Sequence, residues 1–173
     1  MQQALTNERG YTGWQSTALV LLRMFIGWHF LYEGLAKVLN PYWSSAGYLA
    51  ESHWWFGGWF QNIAASPTTL TIVDYVNEWG LLIVGLLLML GLFTRWAIIG
   101  GMVFLFLYYI AAPPFVGYTY SVPAEGAYIV VNKVLIELAA LGVLLVFPTS
   151  REWGLDKFLP SKRTATHASQ ANA

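Results

Sequence analysis

The feature that most constrains this chain is the run from Thr17 to Leu39, TALVLLRMFIGWHFLYEGLAKVL. As a helix its 23 residues would extend about 34 Å, enough to cross a hydrocarbon core of roughly 30 Å. Further apolar runs occupy about residues 76–93 (VNEWGLLIVGLLLMLGLF), 96–112 (WAIIGGMVFLFLYYIAA) and 126–147 (GAYIVVNKVLIELAALGVLLVF). Prolines follow the third at Pro113 and Pro114 and the fourth at Pro148, where a helix cannot continue. The pattern predicts an all-α integral membrane protein, a four-transmembrane-helix bundle. Composition agrees: 57% of the residues are hydrophobic and 10% charged, far from the roughly one quarter charged of soluble domains.

Orientation follows from the basic residues. Placing the N-terminus inside puts Arg9, Arg95, Arg151, Lys157, Lys162 and Arg163 on the cytoplasmic side, while residues 40–75 and 113–125 hold no Lys or Arg. Trp14, Trp96 and Trp153 then mark the inner interface, and Trp43, Trp54, Trp55, Trp59 and Trp79 the outer one. Both ends are expected in the cytoplasm of a bacterial inner membrane, with 1–16 an N-terminal segment, 17–159 the membrane domain and 160–173 a disordered tail. The first span is too long and too charged for a cleaved signal.

The first outer loop, NPYWSSAGYLAESHWWFGGWFQNIAASP, is too aromatic to be freely solvated and too broken by glycine and proline to span. Interfacial helices around residues 44–52 and 59–65 are expected there, burying Tyr48, Leu49, Phe60 and Ile63. They would lie as a lid over the bundle or serve to dock a partner.

Several side chains sit where a bilayer should exclude them: Arg23, His29, Glu33 and Lys37 in the first span, Glu78 in the second, and Asn132, Lys133 and Glu137 in the fourth. A charge at mid-bilayer costs about 2.5–3.5 kcal/mol on insertion scales, so these groups should face one another. Arg23, Glu33 and Lys37 share a helix face with Gly27, Phe30 and Gly34, and Glu33/Lys37 and Lys133/Glu137 are both i, i+4 pairs. A polar intramembrane pocket is expected from Arg23, Glu33, Lys37, Glu78, Asn132, Lys133 and Glu137, opening outward, with Arg23 about 7–8 Å inside the midplane by helical rise. His29, judged to lie off this face, is a secondary candidate that suits packing more than ligation. The third span has no ionisable group and is assigned to lipid or to a partner subunit. An ion-pair network that only fixes helix packing is the competing reading of the same residues.

Other chemistry is limited by what the chain lacks. Balanced charge, nine Lys and Arg against nine Asp and Glu, argues against nucleic acid. No cysteine is present, so thiolate metal sites and iron–sulfur clusters are not expected. His29 is the sole embedded histidine, so haem held by two histidines is not expected either, and no GxGxxG or P-loop suggests flavin or nucleotide. No metal site is assigned.

Four short motifs in order resemble the DoxX family. They are Leu22–Arg23 followed by Gly27, Gly34 and Lys37; SAGYL at 45–49; VGLLLMLGLFTR with Gly85, Leu88, Gly91, Thr94 and Arg95; and REWGLDKFL at 151–159. SAGYL and REWGLDKFL are most similar to the DoxD-like branch, and the resemblance runs over about 17–159. It implies four membrane helices and, for that branch, electron transfer from thiosulfate to quinone in a complex with a second, extracytoplasmic subunit. Many relatives carry an acid where this chain has Leu81; its own acid lies one turn earlier, at Glu78.

Three functions follow. The first is the membrane subunit of a quinone-linked oxidoreductase, with quinone as ligand, Arg23 or Lys37 holding a quinone oxygen and Glu33, Glu78 or Glu137 relaying protons. The second is a non-catalytic membrane anchor or assembly partner for an enzyme. The third is a small-solute or proton-coupled carrier, which would require a homo-oligomer.

Overall fold

The computed structural model describes residues 12–115, 117, 120–121 and 129–158. Residues 1–11, 126–128 and 160–173, on which the ends of the expected first segment, fourth span and tail fall, lie outside that range. The chain runs α1 (Gly13–Val38), α2 (Ala46–Ala50), α3 (Gly57–Ala65), α4 (Pro67–Leu90), α5 (Thr94–Ala111), α6 (Lys133–Val146) and α7 (Ser150–Trp153), then a 3-10 turn (Leu155–Phe158). No strand occurs among the described residues, so the all-α expectation holds.

Helix α1 opens on a capping box. Thr12 Oγ1 accepts from the Gln15 N–H at 3.4 Å, and Gln15 Oε1 accepts from the Thr12 N–H at 3.0 Å. Helix α4 begins at Pro67, nine residues before the apolar run that announced it. Proline at the first helical position has its φ already set, so the helix starts there despite the threonines and Asp74 that dilute its hydropathy. It ends at Gly91, which adopts the left-handed conformation (φ 63°).

Three helices, α1, α4 and α5, are long and apolar enough to cross a membrane; with the family shown below, this is a membrane protein. The fourth expected span is shorter than read. Asn132 caps α6, its Oδ1 accepting from the Leu135 N–H at 2.9 Å, and Ile129 and Val130 form a turn before it. The 14 residues of α6 extend about 21 Å.

These four helices form a ring. Helix α1 packs along α4, α4 along α5, α5 along α6, and α6 returns to α1. The core is a single cluster drawn from all of them, with Phe30, Leu81, Leu88, Ile98, Leu105 and Leu141 among its buried members. Helix α5 has an exposed face carrying Val103 and Phe106 as well as a buried one. Ala97, Ile98, Gly101 and Leu105 recur at helical spacing and bury one face in the core, because apolar periodicity locates a buried stripe even where no charge is present.

Helices α2 and α3 lie where the outer loop suggested. Leu49 and Phe60 are buried, but against Ala111 at the end of α5, with Leu70 and Val73 of α4 alongside. Their apolar side is taken up by protein.

At the opposite end the chain is strapped back onto the bundle. Asp156 accepts from the Phe93 N–H at 2.7 Å and the Thr94 N–H at 3.2 Å, supplying the cap that α5 lacks from its own N-cap residue. Phe93 holds a left-handed φ of 46°, a strained state that these bonds stabilise. The Asp156 N–H in turn donates to Gly91 O at 2.9 Å. Burial opposes the Asp156 carboxylate, but hydrogen bonds from Ser150, Thr94 and Phe93 outweigh it and hold its pKa below the usual value. The folded state thus binds fewer protons there than the unfolded one, so this stabilisation is complete above about pH 4 and is lost as pH falls through the depressed pKa. Asp156→Asn should cost about 1 kcal/mol at neutral pH. The gap between the melting curves of the two proteins should begin to narrow below about pH 4 and close only as pH falls through the depressed Asp156 pKa; a gap that persisted unchanged would show that the carboxylate charge does not hold the strap.

Candidate functional site: a polar cavity inside the helix ring

A cavity of about 430 Å³ lies in the half of the ring that carries α2 and α3. Each of the four ring helices contributes to its wall. Helix α1 supplies a stripe at i, i+4 and i+8, His29, Glu33 and Lys37, with Phe30 beside it. Asn77 and Leu81 come from α4, Leu105 and Tyr108 from α5, and Lys133, Val134 and Glu137 from α6. The roof is Trp43, Ser44 and Ser45 after α1, and Tyr48 of α2.

One ion pair crosses between helices and one lies along α1. His29 Nδ1 and Glu137 Oε1 are 2.7 Å apart, joining α1 to α6, and Lys37 Nζ lies 2.5 Å from Glu33 Oε2. Lys37 also sits 5.5 Å from the centre of the Trp43 ring, a cation–π contact at the mouth. Among the described residues Lys133 has no ion-pair partner, although it lies within electrostatic reach of His29 and Glu33.

The roof is pinned by Asp74 of α4. Its carboxylate accepts from the Ser45 N–H at 2.9 Å, the Ser45 hydroxyl at 2.5 Å and the Ser44 hydroxyl at 2.8 Å. Tyr48 donates its hydroxyl to Tyr108 O at 2.7 Å, closing α2 onto α5. Burial pushes the Tyr48 hydroxyl pKa up, so it stays protonated as this donor. Farther out, Glu51 accepts from both the N–H and the hydroxyl of Ser121. Those bonds favour the Glu51 carboxylate and lower its pKa.

Two polar atoms in the wall are left over. Asn77 Oδ1 and the Tyr108 hydroxyl are buried; the Asn77 side chain lies within hydrogen-bonding reach of the Tyr108 hydroxyl, but neither atom makes a hydrogen bond of good geometry among the described residues. Buried polar atoms are nearly always paired, so an unpaired acceptor and donor together in a cavity wall suit a ligand or water that pairs them.

A DoxX family model matches residues 18–114, more than half of the chain. The chain belongs to the DoxX family. The matched stretch contains α1 to α5 from Ala18 onward, and with them every cavity residue except those of α6. No curated protein and no solved structure matches this DoxX protein.

Of the pocket expected from sequence, Glu33, Lys37, Lys133 and Glu137 come together in this cavity, and three residues do not. Asn132 is spent on capping α6. Glu78, one position beyond Asn77, is half-buried and does not line the cavity. Arg23 is 2% exposed but sits at the other end, where Nη2 donates to Trp153 O at 2.7 Å and Nη1 to Thr149 Oγ1 at 3.4 Å. His29, ranked second from sequence, is instead a full cavity member and half of its only cross-helix ion pair among the described residues. Sequence reasoning passed over Trp43, Ser44, Ser45, Tyr48, Asn77, Tyr108 and the roof-pinning Asp74. Asn77 carried a readable signal, being a polar residue inside a run that otherwise reads as membrane.

Proposed function

We propose that this DoxX-family protein is the membrane subunit of a quinone-linked oxidoreductase and that the quinone head group occupies the polar cavity. The observation that carries the reading is the Tyr108 hydroxyl and Asn77 Oδ1, buried without a well-formed hydrogen bond in the wall of a cavity that also holds two ion pairs. A quinone presents carbonyl acceptors and its reduced form presents hydroxyl donors, so a site needs both kinds of partner at one place. Tyr108 and Lys133 can donate, and Asn77 Oδ1 can accept. Bound there, the quinone supplies two-electron redox chemistry that no side chain of this chain provides.

The residues then divide the remaining work. The Lys133 ammonium, at the cavity wall, would stabilise negative charge that develops on the bound head group. His29 and Glu137, at 2.7 Å, can hold a proton between Nδ1 and Oε1 and pass it into the cavity. Phe30, Leu81 and Leu105 give the apolar flanks that a ring requires. Electrons come from a partner subunit, in the DoxD-like case one that oxidises thiosulfate outside the membrane, and α2 and α3 present the surface on that side.

The same reading makes α6 the fourth crossing, because it closes the ring between α5 and α1 and buries Leu141 and Leu144. It places both termini in the cytoplasm of a bacterial inner membrane, with the cavity opening outward.

Calorimetric titration of the purified protein with a quinone bearing no tail tests the site. Binding is expected for the wild type, with affinity reduced about tenfold or more in Tyr108→Phe through loss of one donor. A titration silent up to the solubility of the quinone would reject the assignment.

A further inference from the structure

Next to the polar cavity lies a second one of about 190 Å³, between α2, α3, α4 and α5. Its lining is carbon for the most part, including Leu49, Phe60, Ile63, Val73, Phe104 and Leu107. Ser45, Tyr48, Asn77 and Tyr108 belong to both cavities, so a single layer of side chains divides them. The outer side of the apolar cavity is edged by Trp59, Ile72 and Val76, exposed at 57%, 58% and 57%. Ile72 and Val76 belong to a helix long and apolar enough to cross a membrane, so in a bilayer this edge would face acyl chains.

Along this line polarity falls in one direction. Ion pairs come first, then the hydroxyls and amide of the shared layer, then a dry apolar chamber, then the bilayer. An apolar void leaves its lining without dispersion partners on one side, and such cavities take up hydrocarbon in preference to water. The unpaired Asn77 Oδ1 and Tyr108 hydroxyl lie in the shared layer, where the polar part of a ligand would end and its apolar part begin.

We infer that the apolar cavity is the tail subsite of the ligand whose head fills the polar cavity, so that the ligand is an amphipathic molecule with an oxygen-bearing head and a hydrocarbon chain, entering sideways from the bilayer past Ile72 and Val76. The inference rests on the head-group reading of the polar cavity and extends it to the other half of the molecule. Tyr48 and Tyr108, with rings 6.4 Å apart and edge to face, both line the two chambers and would have to make room between them for a ligand that spans both.

The test is calorimetric titration of the whole detergent-solubilised protein with three probes: a tailless quinone, the same quinone carrying a decyl chain, and decanoate. Ile72→Trp narrows the exposed mouth with little risk to folding, and Val73→Trp fills the chamber; neither residue lines the polar cavity. In the wild type the decyl quinone should bind about tenfold tighter than the tailless one, a gain reduced by the micelle that the tail leaves but still set by chain burial. Both variants should erase that gain and leave the tailless affinity unchanged. Equal affinity for the two quinones in the wild type, or a gain that survives both variants, overturns the tail subsite while the head-group reading stands. Decanoate carries an alkyl chain on a carboxylate that Lys37 or Lys133 can meet. If decanoate binds, loses affinity in both variants, and neither quinone binds, the tail subsite stands and the quinone assignment falls. Binding of none of the three overturns both.

Discussion

Gly85→Ala is expected to lower the thermal midpoint of the purified protein sharply, and Gly85→Leu to leave no folded product. A Cβ at position 85 would come within 2.2 Å of Leu31 N, 2.6 Å of Leu31 Cα and 2.7 Å of Gly27 O. All three are backbone atoms of α1, so no side chain can swing away to relieve the clash. The helices must separate. In a bilayer, lipid tails are as apolar as leucine, and two helices hold together largely by close backbone approach through small residues. Gly34 repeats the arrangement two turns along α1, where a Cβ would meet Leu82 N at 2.4 Å. Separation along this seam also moves His29, Glu33 and Lys37 away from Asn77 and Leu81 across the cavity. A cost of about 3 kcal/mol or more is expected for the alanine variant. Gly142→Ala is the control, because a Cβ there meets nothing within 4 Å and the helix gains about 0.5–1 kcal/mol from the better helix former. Thermal scans read by size-exclusion fluorescence would compare the two. Equal midpoints for Gly85→Ala and Gly142→Ala would show that the α1–α4 seam is not packed backbone to backbone.

How much of this could be read in the sequence depended on whether a feature was set by local chemistry or by level along the bundle. Hydropathy located α1 and α5 within a few residues because their ends coincide with the ends of their apolar runs. It placed the start of α4 nine residues late, since Pro67 starts the helix in a stretch whose threonines and Asp74 look like loop. The polar face was legible only as an angle. Arg23, Glu33 and Lys37 do share a side of α1, but Arg23 is ten residues before Glu33, about 15 Å along the axis. That distance takes it out of the cavity and into the opposite end of the bundle. His29 lies only about 40° from Glu33, with Lys37 the same step farther on, so the true stripe was visible in the i, i+4, i+8 spacing. It was passed over because the angle was measured from Arg23, the wrong anchor. The roof and the Tyr48–Tyr108 layer could not be read at all, since they depend on how a loop folds back over the ring.

The motif similarities gain a physical meaning from the same comparison. LGLFTR and REWGLDKF, far apart in sequence, meet at one place: a Cβ on Gly91 would lie 2.7 Å from Gly154 Cα, and Asp156 caps α5 through Phe93 and Thr94. What looked like two separate markers is one joint. At Leu81, where many relatives carry an acid, the side chain lines the cavity and is 3% exposed. The wall at that point is therefore apolar in this protein, and the polar group that the same helix gives the cavity is the amide of Asn77.

Arg23→Ala is expected to destabilise the protein by about 3 kcal/mol or more while leaving the affinity of the folded fraction for tailless quinone unchanged. Arg23 is among the largest fully buried side chains, and its guanidinium reaches past the Gly91 turn to Trp153 O and Thr149 Oγ1. Removing it leaves a cavity the length of the side chain, and it orphans a carbonyl that a charged donor had satisfied. Arg23→Lys should recover only part of the loss, because an ammonium is a point donor and cannot hold two acceptors through the planar fork of a guanidinium. The consequence is local before it is global. The segment from Ser150 to Phe158 would be held by Asp156 alone, so limited proteolysis should cut it at protease levels that spare the wild type. The reading from sequence, in which Arg23 holds a quinone oxygen, makes the opposite forecast: affinity falls with little change in melting temperature. Measuring midpoint and affinity on the same preparation separates the two, and a loss of binding at unchanged stability would return Arg23 to the ligand site and show that its bonds to the strap are incidental.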